Sequence, residues 1–384
     1  MTPTTSTAGP GGKPTVGDVV DALDRAYPPK LAESWDSVGL VCGDPADAVE
    51  RVLVCIDVTD DVVRAALDAG VQMIVAHHPL LLRGVDTVAA STPKGSLIHR
   101  LIRGGCALFT AHTNADSANP GVSDALARLL GVDDLKPLQP LPTEALDKWV
   151  VMVPDVDAAA VTEAMFAAGA GALGDYRACS WSVGGVGQFE PQAGANPHIG
   201  TVGARETVVE QRVEMVAARH LRSAVRAALR AAHPYEEPAF DVFESVALPG
   251  DVGLGRVGSL PAPTTLRDFV DLVAQRLPGG GAGIRGAGQP DSTVHVVAVC
   301  GGAGDSLLGA ARACGADVYV TADLRHHVVD EHLRVGGPSL IDAGHWATEF
   351  PWCAQAAEVV RAVGVRAEVF DVPTDPFTVT GSGR

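Results

Sequence analysis

Short, continuous apolar runs alternate along this chain with stretches of helical period, and several of the runs stop abruptly on polar side chains. The clearest is VQMIVAHHPLLL, in which a strand over 73–76 ends on His77, His78 and Pro79. An uninterrupted apolar run is the mark of a parallel strand buried on both faces, and open α/β sheets place their sites at the carboxyl ends of such strands. Neighbouring side chains of an extended segment face opposite ways, so binding one centre with both rings requires a turn. Two metals side by side accommodate the pair without one. Read alone, the pair is equally well explained by one ring packed inward and one in solvent.

The same rhythm runs through the first part of the chain. A helix over 16–27 stops at Pro28 and Pro29, and the loop AESWDSVGL, with Trp35, Asp36 and Gly39, leads to a strand. A strand over 52–56 ends at Asp57, and Thr59 or Asp60 caps a helix that Gly70 terminates. After the double histidine come a helix over 96–103 and a strand over 107–111 that runs directly into His112-Thr113-Asn114-Ala115-Asp116. A helix over 122–130 closes the section, and Pro137, Pro140 and Pro142 read as a stiff connector.

The pattern then changes. Strands over 149–153 and 179–183, a helix between them, strands over 208–216 and 239–246 and a second helix give a split βαβ, ferredoxin-like order. The Gly- and Pro-rich stretch 184–203 reads as a long loop. In HPYEEPAFDV, His233, Glu236 and Glu237 flank prolines and read as loop or interface residues before ligands.

Past Gly253 the α/β pattern returns: a helix over 266–277, a flexible connector GGGAGIRGAGQPDS, and a strand over 294–300 entering GGAGDS. That glycine-rich turn matches neither a P-loop nor a dinucleotide fingerprint, and a plain tight turn is the simpler reading. A strand over 318–320 ends in TADLRHH, where Asp323 and His327 are four apart and would share a helix face. A last strand over 339–341 exits into DAGHWATEF, whose His345 and Glu349 have the same spacing.

Collected from the strand exits, the candidate metal ligands are His77, His78, Asp116, His345 and Glu349. Imidazoles with carboxylates suit borderline divalent ions such as Zn, Fe, Mn, Ni or Co, and Glu349 could bridge two of them. With no thiolate in the set, an open site holding water is favoured over a closed structural zinc. His112 and His327 stand as groups that steady the ligands or act in acid/base catalysis, or else as strand-end histidines satisfied by local partners.

Composition narrows the partners. The net charge is −17 and no basic run of five or more occurs, which disfavours a nucleic-acid partner. The opening residues 1–14 are polar and small, a disordered tail by composition, and nothing resembles a membrane span. Seven scattered cysteines, none in a CxxC pair, point to reduced thiols and a cytoplasmic location, with Cys42, Cys55, Cys106 and Cys300 as small core residues.

SWDSVGL, HHPLLL, HTNAD, HPYEEPAFDV, TADLRHH and GHWATEF, in this order, resemble the Nif-three-like family of dinuclear-metal hexamers, the GTP cyclohydrolase 1 type 2 homologues. Ala322 stands where that pattern commonly has Gly, and Ala115 where it has Leu; neither is a candidate ligand. The resemblance implies an α/β fold: two α/β lobes forming one discontinuous metal-binding core over 15–145 and 250–384. It also implies an inserted ferredoxin-like (PII/cation-tolerance-like) α+β domain over 146–249. It gives the same five ligands, His77, His78, Asp116, His345 and Glu349, for two divalent metal ions per chain. It further implies a toroidal homohexamer with its metals facing an internal cavity.

Two functions follow as expectations. In the first, a dinuclear metal-dependent hydrolase acts on a small, nucleotide-like substrate. Metal-acidified water would attack C8 of the purine and open the ring with loss of formate, while His112 or His327 carries the proton. The second is a non-enzymatic, metal-binding regulatory or metal-handling hexamer. A purely structural role for the metals comes third.

Overall fold

The computed structural model describes residues 13–279 and 283–379. The chain divides into two compact units, one running to Leu141 and resuming at Asp251, the other spanning Pro142–Gly250. Residues 1–12 of the expected tail lie outside the described residues. Pro14 is ordered by a hydrogen bond from the Val49 N–H, and Lys13 pairs with Glu50.

The first unit opens with strands β1 (Gly39–Cys42), β2 (Arg51–Cys55), β3 (Met73–Ala76) and β4 (Ala107–Thr110). Threonine side chains start the intervening helices: Thr59 accepts from the Val62 N–H and Thr92 from the Gly95 N–H. Strand β5 (Asp133–Pro142) leaves the unit, and it corrects an expectation. The proline-rich stretch is a strand, not a connector. It occupies the edge of its sheet, where a residue without an N–H loses no ladder bond on its free side.

The second unit contains β6 (Leu146–Pro154), β7 (Trp181–Phe189), β8 (Glu206–Ala218) and β9 (Phe240–Glu244), with helices Ala158–Ala167 and Arg222–Ala232. The sheet order is β7-β8-β6-β9, and all neighbours are antiparallel. Trp149, Val151 and Val153 alternate along β6 and pack with Val161, Met165, Val225 and Leu229 of the two helices. The stretch expected as a loop from 184 is strand as far as Phe189, because its glycines pair in register with β8.

The chain re-enters the first unit through β10 (Pro249–Thr265), then β11 (Arg285–Ala287), β12 (Thr293–Ala303), β13 (Val318–Ala322), β14 (Ser339–Asp342) and β15 (Arg366–Val369). Strand β11 lies inside the stretch expected to be a flexible connector, of which 280–282 fall outside the described residues. The first sheet has the order β1-β4-β3-β2-β15, parallel except for β1; the second has β11-β14-β13-β12-β10-β5, parallel across β12, β13 and β14.

Strand alternation sorts the cores. Met73 and Val75 of β3, with Val297, Val299 and Val320 of the second sheet, share a core that also holds helices Val122–Leu130 and Pro351–Arg361. Ile74 and Ala76 face a separate core beneath the helix Asp60–Asp68. Cys55, Cys106, Cys300 and Cys353 are buried, Cys42 is half-buried, and the cysteines are free thiols. No helix among the described residues is long and apolar enough to cross a membrane.

Candidate metal centre

Both parallel strand sets deliver their carboxyl ends to one place. Strand β3 stops at Ala76, the backbone bends, and the rings of His77 and His78 come to 5.1 Å between centroids. His77 continues the inward side of the strand and is fully buried against Trp352, 5.1 Å away, while His78 stays partly accessible. His112 arrives from the end of β4, with its ring 5.2 Å from His77 and 5.7 Å from His78. From the other sheet, the short helix His345–Glu349 brings His345 to 5.2 Å from His78 and buries Glu349.

Each of these imidazoles is tethered through Nδ1. His77 Nδ1 lies 2.8 Å from the Ala111 carbonyl, His78 Nδ1 2.7 Å from Asp57, His112 Nδ1 2.9 Å from Asp36, and His345 Nδ1 2.7 Å from Asp323. A carbonyl or carboxylate can only accept, so Nδ1 carries the proton in each ring. In the neutral form Nε2 is then left with a lone pair. The Nε2 atoms converge on Glu349: that of His78 is 3.0 Å from Oε2, those of His345 and His77 are 3.2 and 3.6 Å from Oε1. Asp116 Oδ1 stands 3.7 Å from His77 Nε2.

The cluster does not satisfy itself. His77 Nε2 and Glu349 Oε2 are buried without a directed hydrogen bond, although Oε2 has the His78 ring beside it. Buried polar atoms are normally paired. Donor atoms lie within 4.8 Å of one another in two sets, His77-His78-His112 and His78-His345-Glu349. Lone pairs and carboxylate oxygens at this spacing fit divalent cations.

The electrostatics describe a site that holds protons when no cation is bound. Burial opposes charge on His345, but the Glu349 and Asp323 carboxylates outweigh it and raise its pKa to about 9. Burial likewise opposes charge on His78, which Glu349 and Asp57 hold well above the usual range. For Glu349, burial is overcome by His78, His77 and His345, which keep its carboxyl well below the usual range. Burial pushes Asp116 up to about 6, and burial with His77 nearby brings His112 down to about 4.

A pH dependence follows. Below about 9 His345 carries a proton that an entering cation must displace. Apparent affinity therefore rises with pH between 6 and 9, by up to about tenfold per unit for each proton released. Isothermal titration with Zn²⁺ in buffers of different ionisation enthalpy measures both the trend and the proton count. An affinity that is flat or falls over this window contradicts it.

A family model described as Duf34/NIF3 (NGG1p interacting factor 3) matches residues 14–376. The chain belongs to this family. It is 56% identical over 368 residues to a Mycobacterium leprae protein named GTP cyclohydrolase 1 type 2 homolog, covering 95% of each chain. Among solved structures, a Bacillus cereus protein related to NIF3 is similar with a TM-score of 0.69 at 34% identity, over 96% of this chain and 100% of that one. Staphylococcus aureus protein SA1388 is similar with a TM-score of 0.80 at 26% identity, over 96% and 99%.

Of the residues singled out from the sequence, the family fold brings together His77, His78, Asp116, His345, Glu349 and His112. His327 is not among them: it sits exposed on the helix His326–Arg334, its ring against His326. The shared helix face expected for Asp323 and His327 is not formed. Asp323 precedes the helix with φ +58°, which turns its carboxylate to His345. The tethers Asp36, Asp57 and Asp323 escaped the reading of candidate ligands, although two of them follow strand ends as the candidate ligands do. In GGAGDS, expected as a tight turn, β12 continues to Ala303, and Gly304 has no room for a Cβ beside Tyr319 and Thr321.

Proposed function

We propose that this protein is a dinuclear, divalent-metal-dependent hydrolase acting on a small, nucleotide-like molecule, as the GTP cyclohydrolase name of its relatives suggests. The observation that carries the reading is the set of tethered imidazoles whose Nε2 atoms converge around one buried carboxylate. In this reading His77, His78, Asp116, His345 and Glu349 would hold the two ions. Zn, Fe, Mn, Ni and Co all suit the donors. Bound there, such ions supply Lewis acidity and lower the pKa of water.

The chain's own residues do the rest. A cavity of about 490 Å³ opens on His78 and His345 and is walled by Trp346, Leu324 and Phe377, which gives a substrate ring apolar contact. Asp57 and Asp323 fix the imidazoles and so keep Nε2 aimed inward. His112, neutral above about pH 4, faces the cluster as a lone-pair donor that either accepts a proton from water or adds a ligand.

We read Pro142–Gly250 as the inserted ferredoxin-like domain, on the strength of its strand order. Its exposed Trp181 and Phe243, on the sheet face turned away from the two helices, favour self-association, in keeping with a homohexamer. The same exposed residues support the second reading, a metal-handling or regulatory oligomer.

Turnover of GTP and of generic phosphoesters, measured with added Zn²⁺, Mn²⁺ or Fe²⁺, separates the two. The hydrolase predicts metal-dependent turnover that falls at least about 100-fold in His112→Gln, with metal retained if His112 accepts the proton. His327→Ala leaves turnover unchanged. A metal-loaded protein that turns over none of these substrates favours the second reading.

A further inference from the structure

The HPYEEPAFDV segment forms one wall of a cavity of about 320 Å³ that lies wholly within the second unit. Across from it, β7 supplies Gly187 and Phe189. A Cβ at Gly187 would lie 2.1 Å from Glu210 Oε2, so glycine there leaves the recess in which the Glu210 carboxylate sits. The Tyr235 hydroxyl donates to Glu210 Oε1 at 3.0 Å, and the Asn196 N–H donates to Glu236 Oε1 at 3.0 Å, drawing the loop after β7 onto the motif.

The carboxylates around this cavity fall into two kinds. Glu237 pairs with Arg230 at 3.2 Å and Glu190 with Arg205 at 3.9 Å. Glu210 and Glu236 meet neutral donors only and have no cationic partner among the described residues. Between them the wall is mainly aromatic and apolar: Phe189 meets Tyr235 edge-on at 5.7 Å, His198 lies 6.4 Å from Tyr235, and the cavity also takes in Pro191 and Ile199.

We propose that this cavity binds an organic cation, an amine or guanidinium carried on an apolar or aromatic body. Among the described residues, two carboxylates without an ion-pair partner face one space whose only histidine is His198, an arrangement that disfavours an anion such as a nucleotide or phosphoester. A hydrated metal ion would use the oxygens and leave the aromatic wall idle. An ammonium or guanidinium donates charge-assisted hydrogen bonds to Glu210 and Glu236 while its body lies on Phe189 and Tyr235, which also favour a cation over their faces.

Isothermal titration of the full, metal-loaded protein with 2-phenylethylamine, and with neutral 2-phenylethanol as its isostere, tests the proposal. The amine binds saturably, one per chain, at least about tenfold more tightly than the alcohol, and less tightly as salt is raised. Glu210→Gln keeps an acceptor for Tyr235 but removes the charge, and weakens the amine about tenfold. Glu236→Gln acts in the same direction, whereas Glu237→Gln, whose carboxylate already has Arg230, leaves binding unchanged. Equal binding of amine and alcohol, no saturable binding of either, or an unaltered affinity in both Glu210→Gln and Glu236→Gln would overturn it.

Discussion

Replacing Gly302 by alanine lowers the affinity for divalent cations by about 10–100-fold while the protein remains folded. Gly302 sits at the end of β12 with φ +66°, and a Cβ there would stand 2.2 Å from Glu349 Oε1 and 3.1 Å from His345 Nε2. No real contact survives at the first distance, so the carboxylate on which the imidazoles converge must move. The left-handed backbone adds about 1–2 kcal/mol for any L side chain. Relaxation is restricted, because the Gly302 N–H donates to Thr348 Oγ1 at 2.9 Å and its carbonyl accepts from Thr321 Oγ1 at 2.9 Å. Gly309→Ala is the control: it has open space, ordinary φ and a place in a helix. Zn²⁺ titration with circular dichroism distinguishes site damage from unfolding. Wild-type affinity in Gly302→Ala would show that Glu349 is not held as described.

The second large effect is on stability. Arg256 is 1% exposed and pairs at 2.8 Å with Asp124, itself 2% exposed. Its guanidinium also donates to the carbonyls of Gly253 and Gly255, each at 2.7 Å, and to that of Ala118. It thus ties β10 to the segment that leads into the helix Val122–Leu130, which packs against the strands of the second sheet. Arg256→Met removes the cation and leaves a buried carboxylate without its counter-charge and three carbonyls without their guanidinium donor. Breaking such a pair costs about 3–5 kcal/mol. For a chain of this size that lowers the melting temperature of the first unit by on the order of 10 °C. Asp124 Oδ2 also accepts from the Gly121 N–H at 2.7 Å, so Asp124→Asn keeps an acceptor for that bond while removing the charge. Arg256→Met combined with Asp124→Asn therefore recovers part of the loss. A single mutant within about 1 kcal/mol of wild type would mean that water reaches Asp124.

The centre of this fold was readable because its signals are local. A continuous apolar run stopped by two histidines and a proline defines β3 and its exit, and His345 with Glu349 at helical spacing defines the opposite wall. The tethers were not readable, because they depend on tertiary contact: Asp36 meets His112 across 76 positions, and Asp57 meets His78 across 21. His327 misled through local similarity. It follows a strand exit as the candidate ligands do, but the positive φ of Asp323 redirects the chain and leaves His326 and His327, at the start of the next helix, in solvent. Strand β5 was hidden by its prolines, which mark a connector by composition and are harmless on an edge.

The central claim is that the tethered imidazoles, Asp116 and Glu349 together hold two cations. Elemental analysis of protein purified without chelator and dialysed against trace Zn²⁺ tests it most directly. The account predicts close to two metals per chain, with the value falling below one in Glu349→Gln. A wild-type protein that retains less than one metal per chain from any of the five ions would contradict it.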